Sequence, residues 1–330
     1  MYILAIETSC DETGAAVINN NCEILSNIVS SQIDLHSKYG GVVPEVACRK
    51  HLEVLNPVIQ EALDKAGICF KDLKAVACAN RPGLIGAVLM GVGAAKAISA
   101  VCGIPLIAVD HLESHIYANF IEHKDIEFPL VALIVSGGHT SLIYIEDHLK
   151  YEILGRTRDD AAGEAFDKVA KALNLGYPGG PKIDELAKKG NEKAISFPKA
   201  KLPSPYEFSF SGLKTAVMNF LHKDGLEKHS LPDICASFQK AVVEVLIDNT
   251  FKAADDKGVK QILLSGGVVA NSSLRKKMEE KAKELNFKLN FPPIKYCTDN
   301  AAMTAACAYY KYNKGIFADL SLDAYSTTGM

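Results

Sequence analysis

Residues 3–29 read ILAIETSCDETGAAVINNNCEILSNIV, and residues 130–157 read LVALIVSGGHTSLIYIEDHLKYEILGRT. Each stretch has an apolar strand, a turn rich in Ser, Gly, Thr or Asp, a second apolar strand, a polar turn and a third strand. That is a three-stranded meander used twice. Mixed strand and helix patterns follow each copy. Two such units in tandem predict an α/β fold of two similar domains around a central cleft, with ligands held where loops leave the strand ends. The first domain is expected over 1–128 plus 300–330, with the C-terminal helix returning to it, and the second over 129–299.

Periodicity outward from the meanders places helices at 45–67, 82–103 and 111–122, and strands at 75–80 and 105–110. In the second half, helices are expected near 161–173, 211–223, 233–256, 273–286 and 299–313. QILLSGGVVA (261–270) reads as a strand running into a glycine turn. The Pro- and Lys-rich stretch 177–206 reads as irregular.

With 330 residues, 48% apolar and 23% charged, the chain is globular and long enough for two cores. A net charge of −3 speaks against a self-sufficient nucleic-acid binder. It leaves room for an RNA held with a partner's help. Nine scattered cysteines without a C-x-x-C argue against disulfides or a thiolate zinc site, and a reducing cytosol fits. MYILAIETSCDE lacks the basic start of a signal peptide. The apolar run from Leu84 meets Lys96 after about a dozen residues, short of the ~20 that span a bilayer.

His111 and His115 in HLESH are four apart, which on a helix sets both imidazoles on one face and within reach of one ion. Two surface histidines are the bland alternative. Glu113 does not make this a zincin protease. In H-E-x-x-H the Glu directly follows the first His, and here it lies one place later, ~100° round the helix, where a solvated role is expected. Asp299, before a small-residue helix, is the candidate third ligand, with a helix N-cap as its ordinary role. Two His and one carboxylate suit Fe(II) or Zn(II).

Three polar turns follow apolar strands: ETSCDET (7–13), SGGHT (136–140) and SGGVVANSS (265–273). Their backbone N–H groups can meet an anion; one such turn alone would be an ordinary tight turn, but three at matching places lead to the expectation of a phosphate-bearing ligand in the cleft. None fits the P-loop pattern. Asp167, partway along a helix, could accept from ribose hydroxyls. Gly180 in PGGP could let a base or ribose lie close. Asn271 can donate and accept as an adenine edge demands, or cap a helix. Residues 182–214 carry seven lysines against four acids, a phosphate-contact surface or a solvated face.

In this order, HLESH, VSGGHT, DDAAGEAFDKVAK, YPGGP, FSFSGLKTA, SGGVVAN and CTDNAAM resemble the bacterial tRNA adenosine threonylcarbamoyltransferases (the TsaD type, once labelled O-sialoglycoprotein endopeptidases). The match runs from ETSCDET to about residue 310. The resemblance implies an actin-like ATPase (sugar kinase and heat-shock ATPase) fold. It also implies one divalent metal per subunit on His111, His115 and Asp299, and a nucleotide of adenylate or ATP type in the cleft. The threonylcarbamoyl-adenylate would be bound by Ile134, Val135, Ser136, Gly137, Gly138, Asp167, Gly180, Asp184 and Asn271. The implied activity is acyl transfer to the exocyclic amine of adenosine 37 in tRNAs reading codons that begin with adenosine, in the cytoplasm and away from membranes. The implied partners are a smaller inactive paralogue, a P-loop ATPase and an adenylate synthase that supplies the intermediate. One departure is Arg81, where the family usually has the first Gly of G-P-G-L, which leaves local backbone shape open.

For such chemistry the metal would act as Lewis acid, the SGG turn would hold phosphate oxygens, and Asp11 or Glu12 would orient the attacking amine or take its proton. A metal-dependent endopeptidase and a nucleotide-dependent small-molecule kinase or carbamoyltransferase are the competing readings.

Overall fold

A computed structural model describes residues 1–223 and 228–330. The chain forms two compact units, Met1–Asp125 with Thr298–Met330, and Ile126–Cys297. The units change over at Asp125 and Cys297, where the sequence reading placed the limits at 128 and 299.

In the first unit, β1 (Tyr2–Glu7), β2 (Glu12–Asn19) and β3 (Ile24–Ser31) form the first meander. β4 (Leu73–Arg81) and β5 (Leu106–Asp110) add parallel to β1, giving a five-stranded sheet of order β3-β2-β1-β4-β5. Both faces are covered, so β1 reads as an almost unbroken apolar run rather than an alternating one. The Pro44–Ala66 helix starts on a proline at its first position and ends at Gly67, as the sequence suggests.

The Ile85–Cys102 helix is, by length and composition, long and apolar enough to cross a membrane, which corrects the expectation from Lys96. Here it lies on the sheet: Val88, Val92 and Ala95 are buried in the first unit's core, and Lys96 Nζ donates to Leu322 O. The expected 111–122 helix is two short ones, His111–Tyr117 and Asn119–Glu122. The Ala301–Asn313 helix packs on β1, β2 and the His111–Tyr117 helix through alanines.

The second unit repeats the plan. β6 (Leu130–Val135), β7 (Thr140–Asp147) and β8 (Lys150–Arg156) form its meander. β9 (Gln261–Ser265) and β10 (Lys288–Asn290) add parallel to β6, giving the order β10-β9-β6-β7-β8. Read from the third meander strand, this is the same order as in the first sheet. Helices Ala162–Ala172, Ser211–Lys223, Leu231–Asp256 and Ser272–Leu285 stand close to where periodicity put them. The stretch 177–206 is not wholly irregular, since PGGP opens a helix over Gly179–Ala187. Two glycines and a proline are poor helix formers, and tertiary packing overrides them.

Candidate metal centre and nucleotide-binding turns

The metal candidates gather at the C-terminal edge of the first unit's parallel strands, where α/β sheets hold ligands. Asp110 closes β5 and caps the seven-residue helix that carries both histidines. Its Oδ1 accepts from Leu112 N at 2.9 Å, while Glu113 Oε2 accepts from Asp110 N at 3.4 Å. This capping box offsets the cost of nucleating so short a helix. Asp110 is held in turn by the chain's last residues, because Thr328 Oγ1 and Gly329 N both donate to its Oδ2, at 2.7 and 2.8 Å. Arg81 takes part in the same anchoring, its guanidinium lying 4.2 Å over the Tyr325 ring. Asp110→Ala is therefore expected to cost about 0.5–2 kcal/mol of stability and to lower metal affinity with it. Thermal denaturation and metal titration of the variant check this, and an unchanged melting temperature would count against it.

His111 Nε2 lies 3.5 Å from Asp299 Oδ1, and His115 Nε2 lies 3.3 Å from the same oxygen. The two rings meet edge to face with centroids 4.6 Å apart. One donor atom from each of the three residues falls within 4.8 Å of the others. Asp299 is free for this because the neighbouring Asn300, not Asp299, caps the following helix, accepting from Met303 N at 3.2 Å. His115 is fully buried, and beyond the approach of Asp299 to Nε2 neither ring nitrogen has a hydrogen-bond partner among the described residues. A buried polar atom without a partner is costly, and a bound ion is one of the ordinary ways such a nitrogen is satisfied. The donor set therefore fits a divalent ion.

Charge sets the protonation of the centre. Burial alone would lower the His111 imidazole, but the Asp299 and Glu7 carboxylates outweigh it and hold His111 well above its usual value. Burial dominates at His115 and pushes it down, with His111 adding to the shift. Burial would raise Asp299, yet His111 and His115 hold it well below the carboxylate range. Burial raises Glu12, with the charges of Asp299 and Asp11 adding to it, to about 9.

Glu113 is not solvated. It is buried and paired with Lys311 Nζ at 2.6 Å, so the helix turns it away from His111 and His115 and toward the Ala301–Asn313 helix. The first meander turn, carrying Asp11 and Glu12, is held by a residue the sequence did not single out. His51 Nε2 donates to Cys10 O at 2.9 Å, and Thr13 Oγ1 lies 2.7 Å from His51 Nδ1. Glu7 and Ser9, also missed, lie 3.2 and 3.0 Å from His111 Nδ1.

In the second unit the structure draws the expected nucleotide residues to one edge of the sheet. Ile134 and Val135 end β6 and lead into Ser136, Gly137 and Gly138, the two glycines exposed, and among the described residues no atom beyond their own chain neighbours stands within 4 Å of where a Cβ would be. A Cβ on Gly163 would lie 2.6 Å from Ser136 O and 2.7 Å from Gly137 Cα, so the Ala162–Ala172 helix reaches this turn only through a glycine. Gly266, just past β9, has φ +97°, and a Cβ there would lie 2.4 Å from Val135 O. The turns after β6 and β9 are thus packed backbone to backbone.

Asp167 Oδ1 accepts from Gly179 N at 2.7 Å, which brings Gly180 and its open surroundings beside that helix. Asp184 accepts from Ser272 N at 3.3 Å and from Ser272 Oγ at 2.9 Å. Asn271 is a helix cap, accepting from Leu274 N at 2.9 Å, while its Nδ2 donates to Gln239 Oε1 at 2.7 Å. One amide hydrogen and one lone pair are left for anything else. Of the lysines in 182–214, Lys188, Lys199 and Lys214 are paired with acids of the same unit, which favours a solvated face over a phosphate surface.

Residues 23–306 match the family model "TsaD: tRNA N6-adenosine threonylcarbamoyltransferase". A tRNA N6-adenosine threonylcarbamoyltransferase of Clostridioides difficile strain 630 is 55% identical over 324 residues, 97% of this chain and 96% of the relative. One of Symbiobacterium thermophilum is 52% identical over 329 residues, 99% of this chain and 96% of the relative. Among solved structures, HypF in a phosphate- and nucleotide-bound form aligns with TM-score 0.66 at 15% identity, over 96% of this chain and 56% of that one. Component A of the Acidaminococcus fermentans (R)-2-hydroxyglutaryl-CoA dehydratase aligns with TM-score 0.57 at 16% identity, over 95% and 98%. At that identity the likeness speaks for fold alone, and the fold is that of the actin-like ATPases. The duplicated sheets, the His-His-Asp centre, the family match and the near full-length identity converge: the chain belongs to the TsaD family of tRNA N6-adenosine threonylcarbamoyltransferases.

Proposed function

We propose that this chain transfers the threonylcarbamoyl group from threonylcarbamoyl-adenylate to the exocyclic amine of adenosine 37 in tRNAs reading codons that begin with adenosine. The convergence of His111, His115 and Asp299, in a chain 55% identical to a threonylcarbamoyltransferase, carries the reading. His111, His115 and Asp299 would hold one Fe(II) or Zn(II), whose contribution when bound is Lewis-acid stabilisation of negative charge. An endopeptidase reading finds no support at Glu113, whose carboxylate is spent on Lys311 and the capping box.

The adenine amine is a poor nucleophile, so rate must come from an activated donor, positioning and charge stabilisation. The open backbone at Gly137 and Gly138, after Ile134, Val135 and Ser136, would receive the phosphate. Asp167 would accept from ribose hydroxyls, Gly180 would leave room for the nucleoside, and Asp184 and Asn271 would complete the adenylate site. Glu12 would take the amine proton and Asp11 would orient the amine. Burial, the first cause of the Glu12 shift, holds its carboxyl above the ordinary carboxylate range and nearer to neutrality, where a general base works best.

Partners enter this reading through chemistry as well as family. Leu52, Ile85 and Leu89 are exposed on two packed helices of the first unit, an apolar surface suited to a protein such as the smaller paralogue. A P-loop ATPase, the adenylate synthase and a cytoplasmic setting complete the proposal. The test is mass analysis of tRNA nucleosides from cells depleted of the protein. Threonylcarbamoyladenosine is expected to fall, and an unchanged level would reject the proposal.

A further inference from the structure

Glu7 is a fully buried carboxylate at the end of an apolar strand. Burying such a charge is expensive unless several donors meet it. Its Oε1 accepts from Ser9 N at 2.8 Å and its Oε2 from Thr304 Oγ1 at 2.9 Å. Oε2 also lies 3.2 Å from His111 Nδ1. The carboxylate thus joins β1, the His111–Tyr117 helix and the helix that follows Asp299.

We propose that Glu7 is a positioning residue for the metal centre, fixing His111 with its proton on Nδ1 so that Nε2 is the ligating atom. The proposal rests on the metal reading given above. A carboxylate can only accept, so a bare lone pair on Nδ1 would face it at 3.2 Å, whereas an Nδ1–H is attracted. Ser9 Oγ, 3.0 Å from the same nitrogen, does not decide the tautomer, because a hydroxyl rotates to donate or accept. With Nδ1 engaged, Nε2 is left pointing at Asp299. His115 Nδ1 has no such anchor among the described residues, so His111 is the oriented ligand of the pair. Glutamine at position 7 would have to turn an NH2 toward one of three donors, which makes it a sharp probe.

Purified full-length protein, Glu7→Gln, Ser9→Ala, His115→Ala and Asp299→Ala are to be titrated with Co(II) alone, followed by calorimetry and visible absorption. Glu7→Gln is expected to bind Co(II) roughly 10–100-fold more weakly than wild type, and Ser9→Ala to lose less than Glu7→Gln. In 15N-histidine NMR of the Zn(II)-loaded wild type, His111 is expected to carry its proton on Nδ1. Wild-type affinity in a folded Glu7→Gln, or a metal-bound Nδ1 on His111, overturns the role of Glu7 while leaving the centre standing. If His115→Ala and Asp299→Ala bind Co(II) as wild type does, the metal reading itself fails. Should Glu7→Gln not fold, the wild-type NMR result decides alone.

Discussion

An Asp299→Ala protein is expected to fold and to lose at least ~100-fold in transferase activity, since substitutions behind a metal's ligands already cost 10–100-fold. The loss should appear in kcat with metal content falling alongside. Asp299 reaches both His111 and His115, at 3.5 and 3.3 Å, so no other carboxylate in the centre can replace it. Its removal also takes away the charge that helps to hold a proton on His111. In the unaltered protein, metal uptake must displace that proton, because a ligating imidazole is neutral. The sign follows: the His111 pKa is raised, so acid favours the proton over the ion. Affinity should climb about tenfold per pH unit toward that raised pKa and level off above it. Full activity in Asp299→Ala, or metal affinity flat from acid to neutral pH, would remove the centre from the chemistry.

The two meanders were legible because short apolar runs broken by polar turns are local signals, and they recur in the same order in both sheets. HLESH was legible because i, i+4 spacing needs only a helix. What escaped depends on contacts distant in sequence. Glu7 looks like the last residue of an apolar strand, and nothing nearby hints at a histidine over a hundred residues away. Glu113 was expected in solvent because its partner Lys311 comes from the far end of the chain. The Gly179–Ala187 helix was hidden by PGGP, whose glycines serve a crossing: a Cβ on Gly179 would lie 2.5 Å from Ala170 Cβ. Arg81 ends β4 at a shift in the β4–β5 register and lays its guanidinium 4.2 Å over the Tyr325 ring, a partner that comes from far along the chain.

Gly163→Ala is expected to damage the phosphate turn from behind. The added methyl would stand 2.6 Å from Ser136 O and 2.9 Å from Gly137 N, both backbone atoms that cannot swing aside. Either the helix retreats or the SGG turn shifts, and overpacking of this kind costs about 1–3 kcal/mol. Ser136 N is spent on His139 O at 2.8 Å, so the backbone N–H groups of Gly137 and Gly138 are the ones that lose their aim, and AMP binding should weaken about tenfold or more, as expected when preorganised donors are displaced. Gly138→Ala separates the two effects. Nothing lies within 4 Å of its Cβ position, so its melting temperature should match wild type. Its methyl would instead occupy the space proposed for the nucleotide phosphate, and AMP binding should fall without loss of stability. Thermal denaturation and AMP titration of both variants make the test. If Gly163→Ala melts and binds AMP as wild type does, the turn is neither rigidly held from behind nor a phosphate cradle.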